Sequence, residues 1–219
     1  MKKGVQRVKD VFEGVRKNAP PTMRRMMEKY GDTQIVQLKV CRKPIFTIIE
    51  KLANLLSLGK YEENKSKFSY DRMFHLFMVI RLGSGEVIKI EKNHVVEIGK
   101  TSWEQSGKGL EEVTGEAGVT LNQMVSGAEK LVGPSKLWVY DARTQNCQFF
   151  IQWLLKGCGR WTPELAKFVM QNAAGVLKDM DLLGKAARTV TDIAGIADVA
   201  MQGAGGKKKR RRGADGRRA

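Results

Sequence analysis

The 219-residue sequence is poor in cysteine and histidine, and this limits the chemistry it can carry. Its three cysteines, Cys41, Cys147 and Cys158, stand at spacings that fit no zinc motif, and an odd number argues against a disulfide framework. The only histidines are His75 and His94. We therefore expect a reducing, intracellular environment, no bound metal and no other cofactor.

Long apolar runs are also missing from the sequence. No stretch approaches the about 20 consecutive apolar residues that a membrane-spanning helix needs. The first 21 residues interrupt their apolar positions with charge and so lack the apolar centre of a signal peptide. The sequence predicts neither a transmembrane span nor secretion through a signal peptide.

Acidic residues are few, 23 against 39 lysines and arginines, which leaves a formal net charge of +16. Such an excess favours polyanionic partners, either nucleic acid or an anionic membrane surface. The positive charge is densest near the C-terminus, where a run of lysines and arginines follows three glycines. Such a run is typical of nuclear import signals and of sequence-independent phosphate binding. The predicted polyanion-binding residues are Lys207, Lys208, Lys209, Arg210, Arg211 and Arg212.

Hydrophobic periodicity divides the chain into four parts. Residues 1–31 are predicted to form a basic helical arm, and residues 32–160 an α+β core. Residues 161–202 are predicted to be helical throughout and to end in a narrow, alanine-rich apolar stripe that suits packing on the same domain or self-association. Residues 203–219 contain no apolar side chain larger than alanine, which predicts a disordered basic tail.

Within the core, the pattern predicts a small antiparallel sheet and several helices. Gly83-Ser84-Gly85 separates two strand-like runs and so predicts a β-hairpin. The other predicted elements are a strand in "QIVQLKV", a core helix from Pro44 to Gly59, a loop over 60–71, an irregular stretch over 101–118, a helix over 120–132, a strand in "KLWVYD", a helix in "NCQFFIQWLLKG", and a helix capped by Thr162.

Cys147 stands out because it follows Asn146 where a loop becomes an amphipathic helix. A thiol of ordinary pKa is only a few per cent thiolate near neutral pH, so a nucleophilic cysteine needs a nearby imidazole, and a helix N-terminus assists it. The sequence supplies the helix start. The alternative interpretation is that Cys147 is a small buried apolar residue, since free cysteine is among the most buried residue types.

The segments "FHLFMVIRL", the glycine turn, "IKIEKN" and, about 55 residues later, "NCQFFIQWLL" resemble the circularly permuted papain-like cysteine enzymes, the lecithin:retinol acyltransferase-like relatives of NlpC-type peptidases. The resemblance covers roughly residues 33 to 156. In that family a histidine opens the first strand of the core, a polar residue on the next strand orients it, and an Asn-Cys pair begins the catalytic helix. The fold implied is α+β with a permuted papain-like core.

The resemblance implies Cys147 as nucleophile, His75 as general base, and Asn146 near the oxyanion site or as an orienting residue. His94 is then a structural residue. The sequence departs from the family at the third position, where acyltransferase-like members often carry a second histidine. Here Lys89 and Glu91 occupy that strand, and Glu91 is the candidate that accepts a hydrogen bond from the His75 ring.

The implied chemistry is acyl transfer by a thiol hydrolase, either a peptidase or a lipid acyl hydrolase or transferase, acting on a peptide or acyl substrate. The combination of such a core with basic extensions resembles proteins encoded by large or mid-sized DNA viruses, which suggests a nuclear or virion-associated protein. A competing hypothesis is a non-enzymatic structural protein, associated with nucleic acid or membrane, whose papain-like core is inert.

Overall fold

The computed structural model of the chain describes residues 17–45, 59–67, 73–107, 109–141 and 144–172. Several predictions lie outside these residues. They are the first half of the basic arm, the interior of the helix between Pro44 and Gly59, most of the helical extension, and the whole basic tail including Lys207 to Arg212.

Within the described residues, five antiparallel strands form one sheet, so the predicted mixture of helices with a small antiparallel sheet is confirmed. The predicted hairpin is present, with Phe77 opposite Glu91 and a turn closed by the amide of Leu82 donating to the Glu86 carbonyl at 2.9 Å. The strands are β1 (Ile35–Pro44), β2 (Phe74–Leu82), β3 (Val87–Lys92), β4 (Val96–Lys100) and β5 (Glu111–Gly115), in the spatial order β4-β3-β2-β1-β5.

The two faces of the sheet differ in what covers them. Alternate side chains of β2, such as Leu76 and Met78, face a large core built with the helices, because successive residues of a strand point to opposite sides. Phe77 and Val79 face the other side, where they pack with Cys41 and Trp103 in a smaller cluster. β2 is therefore buried on both faces over most of its length.

Six helices are described: α1 (Pro21–Tyr30), α2 (Lys60–Lys67), α3 (Leu121–Val132), α4 (Pro134–Trp138), α5 (Cys147–Gly157) and α6 (Pro163–Val169). The helices predicted over 120–132, after Asn146 and after Thr162 are confirmed. α3 and α5 approach very closely, since a Cβ on Gly127 would collide with the carbonyl of Gly157. α5 buries Phe150, Ile151 and Leu154 in the core that it shares with the sheet. This packing places Cys147, the first residue of α5, near the start of the central strand β2.

Helix α1 occupies part of the segment assigned to the basic arm. A helical segment through residues 17 and 18 ends before Pro20, and Pro21 begins α1, since proline fits the first helical turn, where no partner is needed for its missing N–H. Met23 and Met27 of α1 are completely buried in the core. Residues 21–30 therefore belong to the folded core.

Three other local predictions are corrected by the structure. The loop expected over 60–71 contains α2, whose Glu63 pairs with Lys60 and Lys67 at 2.9 and 2.8 Å, the spacings that support a helix. The irregular stretch over 101–118 contains β5, which gains its strand geometry by pairing with β1. The strand expected in "KLWVYD" is replaced by α4, which Pro134 begins and which ends at Trp138.

Candidate active site

Cys147 is the first residue of α5, and its position depends on the cap before it. The Asn146 side chain accepts hydrogen bonds from the amides of Gln148 at 3.0 Å and Phe149 at 3.4 Å. This cap satisfies two of the amides that a helix start leaves without partners inside the helix. It does not use the amide of Cys147. The half-buried thiol therefore lies at the capped start of the helix.

His75 is the second residue of β2, and β3 supplies its partner. Its Nε2 lies 3.0 Å from Oε2 of Glu91, and the two side chains are 17% and 7% exposed. The ring also interacts with the Cys147 thiol, and each of the two groups shifts the pKa of the other. Because Nε2 is engaged by Glu91, Nδ1 is the nitrogen left for the sulfur. The structure thus brings Glu91, His75 and Cys147 into one chain of contacts.

The electrostatics of these three groups favour charge separation. Burial acts to lower the pKa of His75, but its contacts with Cys147 and Glu91 outweigh burial and raise it to about 9. Burial acts to raise the pKa of Glu91, but the bond to His75 and the neighbouring charges lower it to about 2. Burial likewise acts to raise the pKa of the Cys147 thiol, while His75 and the amides of Leu76 and Gln148 bring it below its ordinary value. Thiolate, imidazolium and carboxylate are the forms that this arrangement stabilises at neutral pH.

Lys89 extends the chain of contacts on the same strand. Its Nζ lies 2.6 Å from Oε1 of Glu91, the oxygen that His75 does not use, and 4.8 Å from the centre of the Phe77 ring. Each carboxylate oxygen thus has its own partner, which fixes the plane of the carboxylate. The alternation of Lys89 with Glu91 was visible in the sequence, but nothing in the sequence distinguished an anchored lysine from a solvated one.

A second lysine, Lys92, was missed entirely because it reads as the polar end of a strand. It is 1% exposed. Its Nζ donates to the backbone carbonyls of Leu137 at 2.8 Å, Val139 at 2.7 Å and Lys136 at 3.3 Å. Lysine is almost never fully buried unless its charge is compensated, so this position calls for an explanation.

A pair of glutamines ties the start of β2 to the start of α5. Oε1 of Gln148 accepts from the amide of Gln171 at 2.7 Å, and Oε1 of Gln171 accepts from the amide of Phe74 at 3.0 Å. Gln148 follows Cys147 and Phe74 precedes His75. We call these three residues, Gln148, Gln171 and Phe74, the glutamine clip, because they fix the two ends of the Cys147–His75 contact relative to each other.

The remaining cysteines and the other histidine lie elsewhere. His94 is exposed in the turn between β3 and β4, past the end of the strand that carries Glu91. Cys41 is fully buried in β1, and burial raises its pKa to about 12. Burial also raises the pKa of Cys158, whose thiol donates to the Leu155 carbonyl at 3.4 Å. Cys147 is the cysteine whose surroundings stabilise a thiolate.

Across the residues that the structure describes, no group of three or more histidine, cysteine, aspartate or glutamate side chains is placed to hold a metal ion. Nor does any helix in those ranges combine the length and apolar character needed to cross a bilayer. Comparison of the chain with protein-family models, with curated proteins and with solved structures gives no match.

Proposed function

We propose that this protein is a cysteine-dependent acyl hydrolase or acyltransferase in which Cys147 is the nucleophile, His75 the general base and acid, and Glu91 the residue that orients and charges His75. The observation that carries the proposal is the continuous contact from Glu91 through His75 to a thiol at a helix start. A nucleophile next to a base that is itself oriented by a third group is the arrangement covalent catalysis requires.

The proposed reaction begins with attack of the Cys147 thiolate on a substrate carbonyl carbon. A carbon–sulfur bond forms, and the carbonyl electron pair moves to oxygen to give an oxyanion. The proposed donor to that oxyanion is the Cys147 amide at the helix start, since the Asn146 cap bonds are those to Gln148 and Phe149. Collapse of the intermediate expels an amine or alcohol, which leaves with the proton held on Nδ1 of His75, and a thioester remains on Cys147.

Release of the acyl group uses the same residues in the opposite direction. Nδ1 of His75 accepts a proton from water or from an acceptor hydroxyl or amine, whose heavy atom attacks the thioester carbonyl. The second intermediate collapses with release of the Cys147 thiolate and of the acid, ester or amide product. The imidazolium is restored, so protons balance over the cycle.

The proposed architecture is a permuted papain-like core, and the order of the site residues along the chain supports it. His75 opens a central strand, Glu91 lies on the neighbouring antiparallel strand, and Cys147 begins a helix that packs on the sheet. The basic segment Lys207 to Arg212 is proposed to bring this core to a polyanion, nucleic acid or an anionic membrane, with the net charge of +16 as support.

The proposal is tested by acylation of the full chain with a small activated ester, p-nitrophenyl acetate, followed by peptide-resolved mass spectrometry. We expect a thioester on Cys147, and a loss of its formation of about 100-fold or more in His75→Ala, the order of a missing general base. His94→Ala is the matched control and should retain the wild-type rate. Equal acylation of Cys147 and Cys158, or an unchanged rate in a folded His75→Ala protein, would contradict the proposal and favour an inert core.

A further inference from the structure

Lys92 follows Glu91 on β3, so the two side chains leave the strand on opposite faces of the sheet. Glu91 meets His75 on one face. Lys92 enters the large core on the other face, where its aliphatic stem is buried among the helices. Two adjacent residues of one strand thus place opposite charges on the two sides of the site.

The ammonium of Lys92 is held at the end of α4. Its Nζ donates to three backbone carbonyls, those of Lys136, Leu137 and Val139, at 2.7 to 3.3 Å. Three acceptors match the three N–H bonds of an ammonium group, so the side chain is fixed in direction. The carbonyls stabilise the positive charge without cancelling it, since they carry no formal charge of their own.

The fixed charge lies against the first two turns of α5. Nζ of Lys92 is 5.7 Å from the centre of the Phe150 ring and 5.8 Å from that of Trp153. Phe150 is three residues after Cys147, which places the two on the same side of the helix. Burial lowers the pKa of Lys92 to about 8, and the charge of a Cys147 thiolate acts in the opposite direction, whereas the pKa of Cys147 itself is brought down by His75 and the amides of Leu76 and Gln148.

We propose that Lys92 is a positioning residue for the nucleophile, whose carbonyl-anchored ammonium beneath the start of α5 holds Cys147 as a thiolate. This inference rests on the proposed function, because a stabilised thiolate serves acyl transfer. Among the described residues, His75 from β2 acts on the Cys147 thiol and Lys92 from β3 lies against the first turns of the same helix, with Glu91 and Lys89 acting through the His75 ring.

The two cations differ in one respect that matters to the reaction. His75 gives its proton to the leaving group and takes another from the acceptor, so its charge changes during each turnover. Lys92 takes no part in that transfer and keeps its charge. It therefore stabilises the negative charge on the Cys147 sulfur in both steps, when the thiolate attacks and when it is expelled from the thioester. The charge of the His75 ring changes between these steps, and that of Lys92 does not.

The test is the pH dependence of Cys147 alkylation by iodoacetamide, followed by peptide-resolved mass spectrometry in the full chain. In Lys92→Met we expect the acid limb of the profile to move up by about one pH unit, the order of one buried charge acting over several ångströms. Below that limb the rate should fall about tenfold. Lys92→Arg should keep the limb near its wild-type position, and Lys130→Met, which removes one exposed charge, should leave it unchanged.

An acid limb at the wild-type pH in a folded Lys92→Met protein would overturn the proposal. If the methionine variant does not fold, Lys92→Gln, which keeps donors for the carbonyls, is read in the same way. A second measurement changes only Cys147. In Cys147→Ser, the pKa of Lys92 followed by NMR of its Cε should fall, because coupling between two sites is reciprocal; an unchanged Lys92 pKa would equally overturn the proposal.

These results separate the two proposals. A Lys92 titration that responds to Cys147→Ser while the ester test finds no thioester would support the coupling and contradict the enzymatic function. A His75-dependent thioester with no response to Lys92 would do the reverse.

Discussion

At the scale of single residues, two side chains on or just after β3, Glu91 and His94, could have been the partner of the His75 ring. Glu91 is the one that contacts it. Glu91 lies opposite Phe77 in the β2–β3 pair, and since residues two apart share a face, it stands next to His75. His94 lies two residues past the end of β3. The Cys147 thiol and this carboxylate both act to raise the pKa of the ring.

Glu91→Gln keeps the size of the side chain and removes its charge. We expect the pKa of His75 to fall, the thiolate fraction to fall with it, and the rate of Cys147 alkylation at pH 7 to drop about tenfold, the order of one lost charge partner. His94→Gln should change the rate by less than about twofold, the scale of an exposed charge. Both rates can be followed with iodoacetamide. A larger effect of His94→Gln would move the third position of the site to His94.

The candidate site could be predicted in part because some of its signals are local. Asn146 before Cys147 marks a capped helix start within a few letters, and His75 and Glu91 share a face through simple alternation. Lys92 could not be predicted in this way. Its partners are the carbonyls of Lys136, Leu137 and Val139, more than 40 residues away along the chain. Backbone carbonyls leave no trace in side-chain patterns.

At the scale of elements, the glutamine clip joins β2, α5 and the segment after α6. Its members come from three parts of the chain, and each bond involves one side chain and one backbone amide. Since an unsatisfied buried amide is costly, the clip resists separation of the strand that carries His75 from the helix that carries Cys147.

Gln171→Ala removes the acceptor of the Phe74 amide while leaving the Gln171 amide in place. We expect a loss of about 1 to 2 kcal/mol in the free energy of unfolding, the range for a buried donor left unpaired. We also expect slower alkylation of Cys147 in the folded protein, because the thiol and the ring are less well aligned. Urea unfolding and iodoacetamide kinetics measure the two effects. Lys167→Ala, at an exposed position of α6, is the control; equal behaviour of the two variants would show that the clip positions nothing.

Some elements were predicted from a signal within their own sequence, and others were not. α3 is predicted by its own sequence, because Thr120 and Gln123 form a capping box at its start and its apolar residues fall on one face. β5 has no such signal: its "EEVTG" is exposed throughout and becomes a strand only beside β1. In "KLWVYD" the β-favouring residues suggested a strand, but Pro134 began a helix whose last carbonyls Lys92 holds.

At the scale of the whole molecule, charge is distributed unevenly along the chain. Residues 203–219 carry eight basic residues and one acidic residue, almost half of the formal net charge of +16. The proposed site pairs Lys89 with Glu91 and His75 with Cys147, all of them in the folded core. Polyanion binding and acyl transfer are therefore expected to be separable.

Deletion of residues 207–219 should weaken binding to single-stranded DNA and flatten its salt dependence. Each lost phosphate contact should reduce the slope of log K against log salt by about 0.7. Thermal stability and Cys147 alkylation should stay the same. Deletion of residues 213–219 alone, which keeps the six consecutive basic residues, is the control. If the salt slope is unchanged after the longer deletion, the basic N-terminal segment is the binding site instead.

The alternation of Glu91 and Lys92 on β3 makes the polarity of the site a property of hairpin register. If β3 slid by one residue against β2, an ammonium would face His75 and a carboxylate would lie beneath the start of α5, because a shift of one position turns every side chain to the other face. The ammonium beside His75 and the carboxylate beneath α5 would then both disfavour a negative charge on the Cys147 sulfur. The turn from Gly83 to Glu86, closed by the Leu82 amide and containing Gly85 at φ 91°, fixes that register. Lengthening this remote turn by one residue would reverse the sign of the charges around Cys147 without substituting any residue of the site.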